Sequence, residues 1–390
     1  MNRTTALLAL TSASFALAGP LTPPPGAVAP TGRTLEQAEP RTPLSAEATP
    51  GDSNSVFRIT QPGSYYLTGN VVAAADQSGI VIIAPDVTLD LNGFLVSGPA
   101  GSAVEGIDSS QQRVHVMNGF VRGFTDGVDL SARGCTVESL TVTGASSNGI
   151  DMGIDSRVIG CTATDNGNNG IDAFSRSSVT GCTANANGSF GIRAGSQSSV
   201  IDCIASANTG RGITTGTNAV VSRCVANSNM DDGISTGNGA VVESCSARDN
   251  ADTGFLLGTG VLVDGCNAFS NDGIGFNAGT ATRLQGCAAG FNAGGGYRLT
   301  SRCSLVGSAA DSNSFFGVET TGSSNTVREC DISSSPVAFD LLSNGSALII
   351  NNTLASNTVA FTNGTGNTVA PLVTSATIGT SSNPHANYVR

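Results

Sequence analysis

The sequence predicts an all-β solenoid, a right-handed parallel β-helix of about thirteen coils of ~21 residues. Three observations carry that expectation. Cys161, Cys182, Cys203, Cys224, Cys245, Cys266 and Cys287 occupy every twenty-first position without a break. Asn166, Asn187, Asn208, Asn229, Asn250, Asn271, Asn292 and Asn313 keep the same interval in phase with them. An apolar column, Ile107, Val128, Ile150, Ile171, Ile192, Ile213, Ile234, Phe255, Phe276, Tyr297, Val318, Phe339 and Phe361, is nearly always preceded by Gly or Ala. A constant period of this length means stacked units, none able to bury its apolar face alone. Gly and Asn interrupt every candidate helix, so each unit is a coil of short strands. Equivalent residues of successive coils then lie one over the other, about 4.8 Å apart, and parallel crossovers run right-handed.

Taken from the N-terminus, residues 1–18 (MNRTTALLALTSASFALA) place Arg3 ahead of an apolar run and end in Ala16-Leu17-Ala18, the pattern of a secretory signal peptide. A secreted or cell-envelope location, extracellular or periplasmic, is therefore expected. Residues 19–51 read as a proline-rich linker or N-terminal arm. The β-helix is expected over 52–390, with caps at 52–80 and 365–390 covering strand edges at its two ends. No later stretch supplies the roughly 18 continuous apolar residues of a membrane span. The chain has no Lys and no Trp, and a formal charge of -11, which argues against nucleic acid or anionic lipid as a partner.

The cysteine column reads as a core slot. Cys182 and Ala184 share one face of a strand, and the column extends back to Leu140 and, with small slips, to Phe120 and Phe94, and forward to Ser308. A position that accepts Cys, Leu and Phe is a packing position. Stacked rungs hold their Cβ vectors parallel, leaving them too far apart for disulfides, so free buried thiols are expected. Cys135 and Cys303 fall off this ladder. The asparagine column suits a repeated left-handed bend with amides passing hydrogen bonds from coil to coil.

One outward row breaks the monotony: Asp108, Asp129, Asp151 and Asp172, then Arg193, Thr214 and Ser235, each directly after the apolar column. Asp108, Asp129, Asp151, Asp172 and Arg193 are the candidate catalytic residues, and Asp129, Asp151 and Asp172 the candidate Ca²⁺ ligands. Stacked about 5 Å apart, the acids should raise one another's proton affinity. Three readings stay open: a solvated acidic stripe without ligand, a Ca²⁺ site of hard oxygen donors, and glycan cleavage by a carboxylate pair. Aromatic residues make up 5% of the chain and most Phe fall in or beside the core column, which leaves few platforms for sugar rings.

The Gly-Ile, Val-x-x-Cys and Asn rows, with "GSYYLTGNVV" and "IVIIAPDVTLDLNGFLVSG" ahead of them and "GNTVAPLV" and "NPHANYV" behind, resemble the right-handed parallel β-helix repeat proteins of bacteria. The resemblance is of the secreted type, distantly similar to pectate-lyase-like β-helix proteins. It implies the fold over about residues 55–365, and it implies a choice among lyases, hydrolases and glycan binders. A lyase-like reaction calls for a base beside its metal carboxylates, and Arg193 and Arg176 are the nearest. The Gly-His pair of polygalacturonase-like enzymes has no counterpart; His115 alternates with Val114 and Val116 and should face outward, and His385 lies in the tail.

The function expected is that of an exported β-helix scaffold or binding protein acting on extracellular or cell-surface polysaccharide. Two alternatives remain: a Ca²⁺-dependent polysaccharide lyase or glycoside hydrolase using the Asp108–Arg193 face, and a purely structural envelope protein. The regular spacing from Ile107 to Val318 leaves no long loops to wall a cleft, which ranks catalysis second.

Overall fold

In the computed structural model each coil turns three corners. The coil that begins at Ile150 runs through strands Ile150–Met152, Arg157–Ile159 and Thr162–Thr164 before the next begins at Ile171. Below, the faces built by these three kinds of strand are called the first, second and third. The structure describes residues 41–99, 101–341, 345–374, 376–377 and 381–390; the expected signal peptide and the arm up to Pro40 lie outside them. Among the described residues there is no helix, and so none long and apolar enough to cross a membrane.

The chain is a right-handed parallel β-helix whose first face holds fifteen parallel strands, from Ser55–Ile59 to Val359–Asn363, with Pro50–Asp52 paired antiparallel at its start. The expected count of thirteen is therefore two short. The extra coils are those of Phe57 and Ile80, which stack beneath Ile107 in the same column. The steps from Phe57 to Ile80 and from Ile80 to Ile107 are both longer than the repeat, so a search at the constant period passes over both coils. At the N-terminal end Thr42–Pro43 pairs with Tyr65–Tyr66 and Leu44 is buried. At the other, Asn387–Val389 pairs with the strand Thr353–Ala355.

Bends at the corners are made by left-handed residues. In the coil at Ile150 these are Asp155, Gly160 and Asp165, with φ of 58°, 59° and 55°. Asp, Asn, Ser and Gly tolerate that conformation.

The asparagine column and the Gly-Ile pairs form one device. Asn208 Nδ2 donates to Asn229 Oδ1 at 2.9 Å and to the Ala184 carbonyl at 3.2 Å, while its Oδ1 accepts from Asn187 N and Nδ2 at 3.0 and 2.9 Å. A buried amide thus satisfies backbone groups in the coils on both sides. The ladder approaches so closely that a Cβ on Gly191 would meet Asn208 Nδ2 at 2.6 Å and the Gly212 carbonyl at 2.7 Å. Glycine before the isoleucine is therefore a steric requirement.

All ten cysteines are free and buried. Their Sγ atoms bond to main chain: Cys203 Sγ donates to the Ile201 carbonyl at 3.2 Å and accepts from Cys182 N at 3.4 Å. Burial pushes Cys287 up to about 12 and Cys330 up to about 11, so both stay thiols at neutral pH. Cys330 rejoins the ladder after Ser308, and Asn352 and Asn387 continue it. Cys135 and Cys303 belong to a second buried column, with Ser156, Ser177, Ser198, Ala219, Ala240, Val261 and Thr282 between them. Phe120 is not in the core: Gly119 pairs with Leu140 in the cysteine column and Phe120 turns outward, 49% exposed. Above the isoleucines the apolar column becomes aromatic, with Phe255, Phe276 and Tyr297 stacked at 4.6 and 5.1 Å within 7° of parallel.

Two outcomes check this packing. Asn208→Leu strands amide and carbonyl groups on both neighbouring coils and should cost roughly 3 kcal/mol in urea unfolding, whereas Asn227→Ala stays within about 0.5 kcal/mol. Equal losses would remove the ladder from the account. Thiol titration should find almost no reactive sulfhydryl in the native protein and all ten in denaturant without reductant.

Candidate functional site

The first face carries the acid row in register. Asp108 pairs with Asp129, Asp129 with Asp151, Asp151 with Asp172, Asp172 with Arg193, and Arg193 with Thr214. The five candidate residues are thus consecutive on one face, each on the middle position of a short strand. The row is less solvated than a bare stripe: Asp108, Asp129 and Asp151 are half-buried and Asp172 is 6% exposed.

A second column, just upstream of the first, supplies what the row alone lacks. It runs Glu105, Asp126, Asn148, Asn169. Asn148 Nδ2 donates to Asp151 Oδ2 at 3.0 Å, and Asn169 Nδ2 to Asp172 Oδ2 at 3.0 Å. Asp126 Oδ1 accepts from Asn148 N at 2.7 Å. Arg193 Nη1 reaches Asp172 Oδ2 at 3.0 Å and Oδ1 at 3.4 Å. At the Asp129 end the same column offers an acid in place of an amide, and Asp129 Oδ1 is buried without a hydrogen-bond partner among the described residues.

Proton affinities follow from that gradient. Burial, then the charges of Asp151, Asp108, Asp126 and Glu105, push Asp129 up to about 7. Burial and Asp172 push Asp151 up to about 6, against the Asn148 hydrogen bond that lowers it. Asp108 is raised by burial and Glu105. Near neutral pH the row therefore holds both carboxyl and carboxylate groups.

Relief on this face comes from missing side chains, not from loops. The residue after each first-face strand is Gly153, Phe174, Gly195 and Gly216 in successive coils, so Phe174 rises between glycines and is 51% exposed. A hollow of about 430 Å³ lies on one side of it, bordered by Asp129, Asp151 and Gly153. One of about 340 Å³ lies on the other, bordered by Asp172, Arg193, Gly195 and Gly216. Phe174 lines both. Exposed aromatic rings are more numerous than the sequence led us to expect: Phe120, Phe174, Phe291 and Phe315 are each between 49% and 64% exposed. For Phe174 the signal was legible as a single aromatic residue in a glycine column.

Other candidates lie elsewhere. Arg176 sits on the turn before a second-face strand and pairs with Asp155 at 2.6 Å, away from the row. His115 does face outward, 3.2 Å from Glu138; His385 is exposed in the closing segment. Of the three Ca²⁺ candidates, Asp172 is committed to Arg193 and Asn169 and Asp151 to Asn148, while Asp129 keeps a free oxygen. In this arrangement a cation ligated by all three would share Asp172 with the Arg193 guanidinium. A second acidic group, Asp231, Asp232 and Asp252, has oxygens within 4.8 Å of one another and is bridged by Arg211, 2.9 Å from Asp232.

Comparison with known proteins agrees with the coil geometry. Residues 125–268 match the family model described as a right handed beta helix region. No curated protein matches the chain. Similar solved structures include the Azotobacter vinelandii mannuronan C-5 epimerase AlgE4 A-module, 15% identical over 79% of this chain and 91% of that one, with a TM-score of 0.49. The bacteriophage CBA120 tailspike protein 3 is 11% identical over 91% of this chain and 60% of that one, TM-score 0.43. Pectate lyase Pel9A is 17% identical over 87% and 78%, TM-score 0.32. At these identities the likeness concerns the fold.

The raised acids carry a sign. A carboxyl whose folded value lies above its unfolded value near 3.9 binds more protons when folded, so its contribution to stability falls as pH rises from about 4 through about 7. Asp129→Asn should therefore raise stability at pH 8 by on the order of 1 kcal/mol, solvent screening included, with less gain near pH 5. Thermal unfolding at the two pH values reads the difference, and a larger gain at pH 5 would contradict the assignment.

Proposed function

We propose that this protein is an exported β-helix scaffold that binds polysaccharide along its first face, with Phe174 as the platform for a sugar ring. The single observation that carries the reading is the pair of hollows sharing Phe174, one edged by Asp129 and Asp151 and the other by Asp172 and Arg193. Sugar rings present an apolar C–H face and a rim of hydroxyls. An exposed aromatic ring takes the first, and carboxyl, carboxylate and guanidinium groups take the second, as acceptors and donors on one surface. The hollows lie in line along the stacking direction, which suits a chain of sugars over a single one. Export rests on the signal-like residues 1–18.

A second reading is favoured by one specific feature. Asp129, held at about 7, neighbours Asp151, held at about 6, so a proton donor and an ionised partner coexist on adjacent rungs. General acid catalysis of glycoside hydrolysis needs such a pair. A Ca²⁺-dependent lyase reaction draws less support, because the guanidinium at Asp172 occupies the place of a cation.

Binding and cleavage separate in one experiment. The protein is incubated with neutral and acidic oligosaccharides, with and without Ca²⁺, and both affinity and new reducing or unsaturated ends are measured. Phe174→Ala should weaken binding about tenfold with unchanged folding, equivalent to about 1.4 kcal/mol. If reducing ends appear and Asp129→Asn abolishes them, the hydrolytic reading replaces the binding one. Binding indifferent to Phe174→Ala would refute both placements on this face.

A further inference from the structure

Around the coil from the acid row, the second face carries a charge of the opposite sign. Strand Arg283–Gln285 pairs with Ser304–Val306, and that with Thr326–Arg328. Arg283 opens the first of these strands and Arg328 closes the third. Arg302 precedes the middle one, at a left-handed turn with φ of 58°. The three arginines border a hollow of about 400 Å³ with Ser304, Ser324 and Thr326, and no carboxylate among the described residues lines it.

What sets Arg283 and Arg302 apart is that neither has an ion-pair partner among the described residues. In this acidic chain most guanidiniums are spent on carboxylates: Arg113 on Asp86, Arg176 on Asp155, Arg223 on Asp202, Arg298 on Glu319. Arg328 pairs with the adjacent Glu329 at 2.7 Å. Among the described residues, Arg283 and Arg302 make no ion pair. Among the described residues Arg122 and Arg157 also lack one, but neither borders the hollow of Arg283, Arg302 and Arg328. Glu243 and Asp264 border the next hollow along the face, with Arg283 at the boundary, so the cationic patch begins where the acidic one ends.

We propose that the hollow bordered by Arg283, Arg302 and Arg328 is a binding site for the oxyanion groups of an acidic polysaccharide. Guanidinium presents a planar fork of donors matched to carboxylate, and two unpaired forks flanked by hydroxyls form a donor-rich site with no internal acceptor of matching charge. The arginines are spread over three consecutive rungs, about 10 Å along the axis, so they can meet charges on successive sugars of one chain. Arg328, already paired, contributes at the edge. The site goes beyond the first-face reading and does not depend on it.

Calorimetry on the full chain at low ionic strength tests it, with four probes: a carboxylate-bearing oligouronate, a sulfated oligosaccharide, a neutral oligosaccharide of the same length, and inorganic sulfate. The oligouronate should bind, weakening as salt is raised. The double variant Arg283→Gln with Arg302→Gln should lose about tenfold or more in affinity, while Arg122→Gln leaves it unchanged. Tighter binding of the sulfated oligosaccharide keeps the oxyanion site and identifies sulfate as its group. Equal binding of the neutral oligosaccharide, equal affinity for inorganic sulfate, no binding of either charged oligosaccharide, or indifference to the double variant would each overturn the proposal. Asp151→Asn and Phe174→Ala report on the first face, so failure of one site is read separately from failure of the other.

Discussion

Vertical repetition of one backbone hydrogen-bond register is the constraint on which everything else in this protein depends. Each strand pairs in parallel with the strand one coil away, and the pairing Ile171 to Ile192 to Ile213 to Ile234 continues without a slip. A shift by one residue would exchange inward and outward side chains in every coil at once. The asparagine ladder locks that register, because each amide bonds to the amide and main chain of the next coil and approaches the glycine before the apolar column too closely for any other residue. Stability and function then divide by position: inward columns pack, and outward columns are free to vary.

That freedom explains how one scaffold carries opposite chemistries on adjoining faces. Outward positions of the first face stack carboxyl groups, which burial and mutual repulsion hold part-protonated. Outward positions of the second face, several coils further on, bring unpaired guanidiniums together. Neither arrangement requires an inserted loop. A hollow arises wherever a column changes from a side chain to glycine, as on both sides of Phe174. In a solenoid a binding groove can therefore be built by subtraction, without lengthening the repeat.

The inward half of the structure was legible in the sequence because packing demands repetition and repetition can be counted. The cysteine, asparagine and apolar columns fixed fold, period and the burial of the thiols. Departures from the period were harder: the coils of Phe57 and Ile80 follow longer steps, and Phe120 sits one residue off the column it was assigned to. The buried column that unites Cys135 with Cys303 passes through Ser, Ala, Val and Thr, so its identity is a shared size, not a shared residue. The acid row was found in register, yet its proton affinities depend on Glu105, Asp126 and Asn148 in a column defined only once the turn is seen. The arginine hollow escaped entirely: the step from Arg283 to Arg302 is shorter than the repeat and that from Arg302 to Arg328 longer, so the three meet only through a turn and a strand end.

The register itself can be read from a single distance. Thr162 and Asn267 lie in one outward column of the third face, five rungs apart through Thr183, Ile204, Val225 and Ser246. With cysteine substituted at both positions and spin-labelled, the native thiols staying buried, electron–electron resonance should give one narrow distribution centred at about 24 Å, the sum of five strand spacings. A broad distribution, or a centre displaced by more than two spacings, would contradict the stacked register and with it both proposed faces.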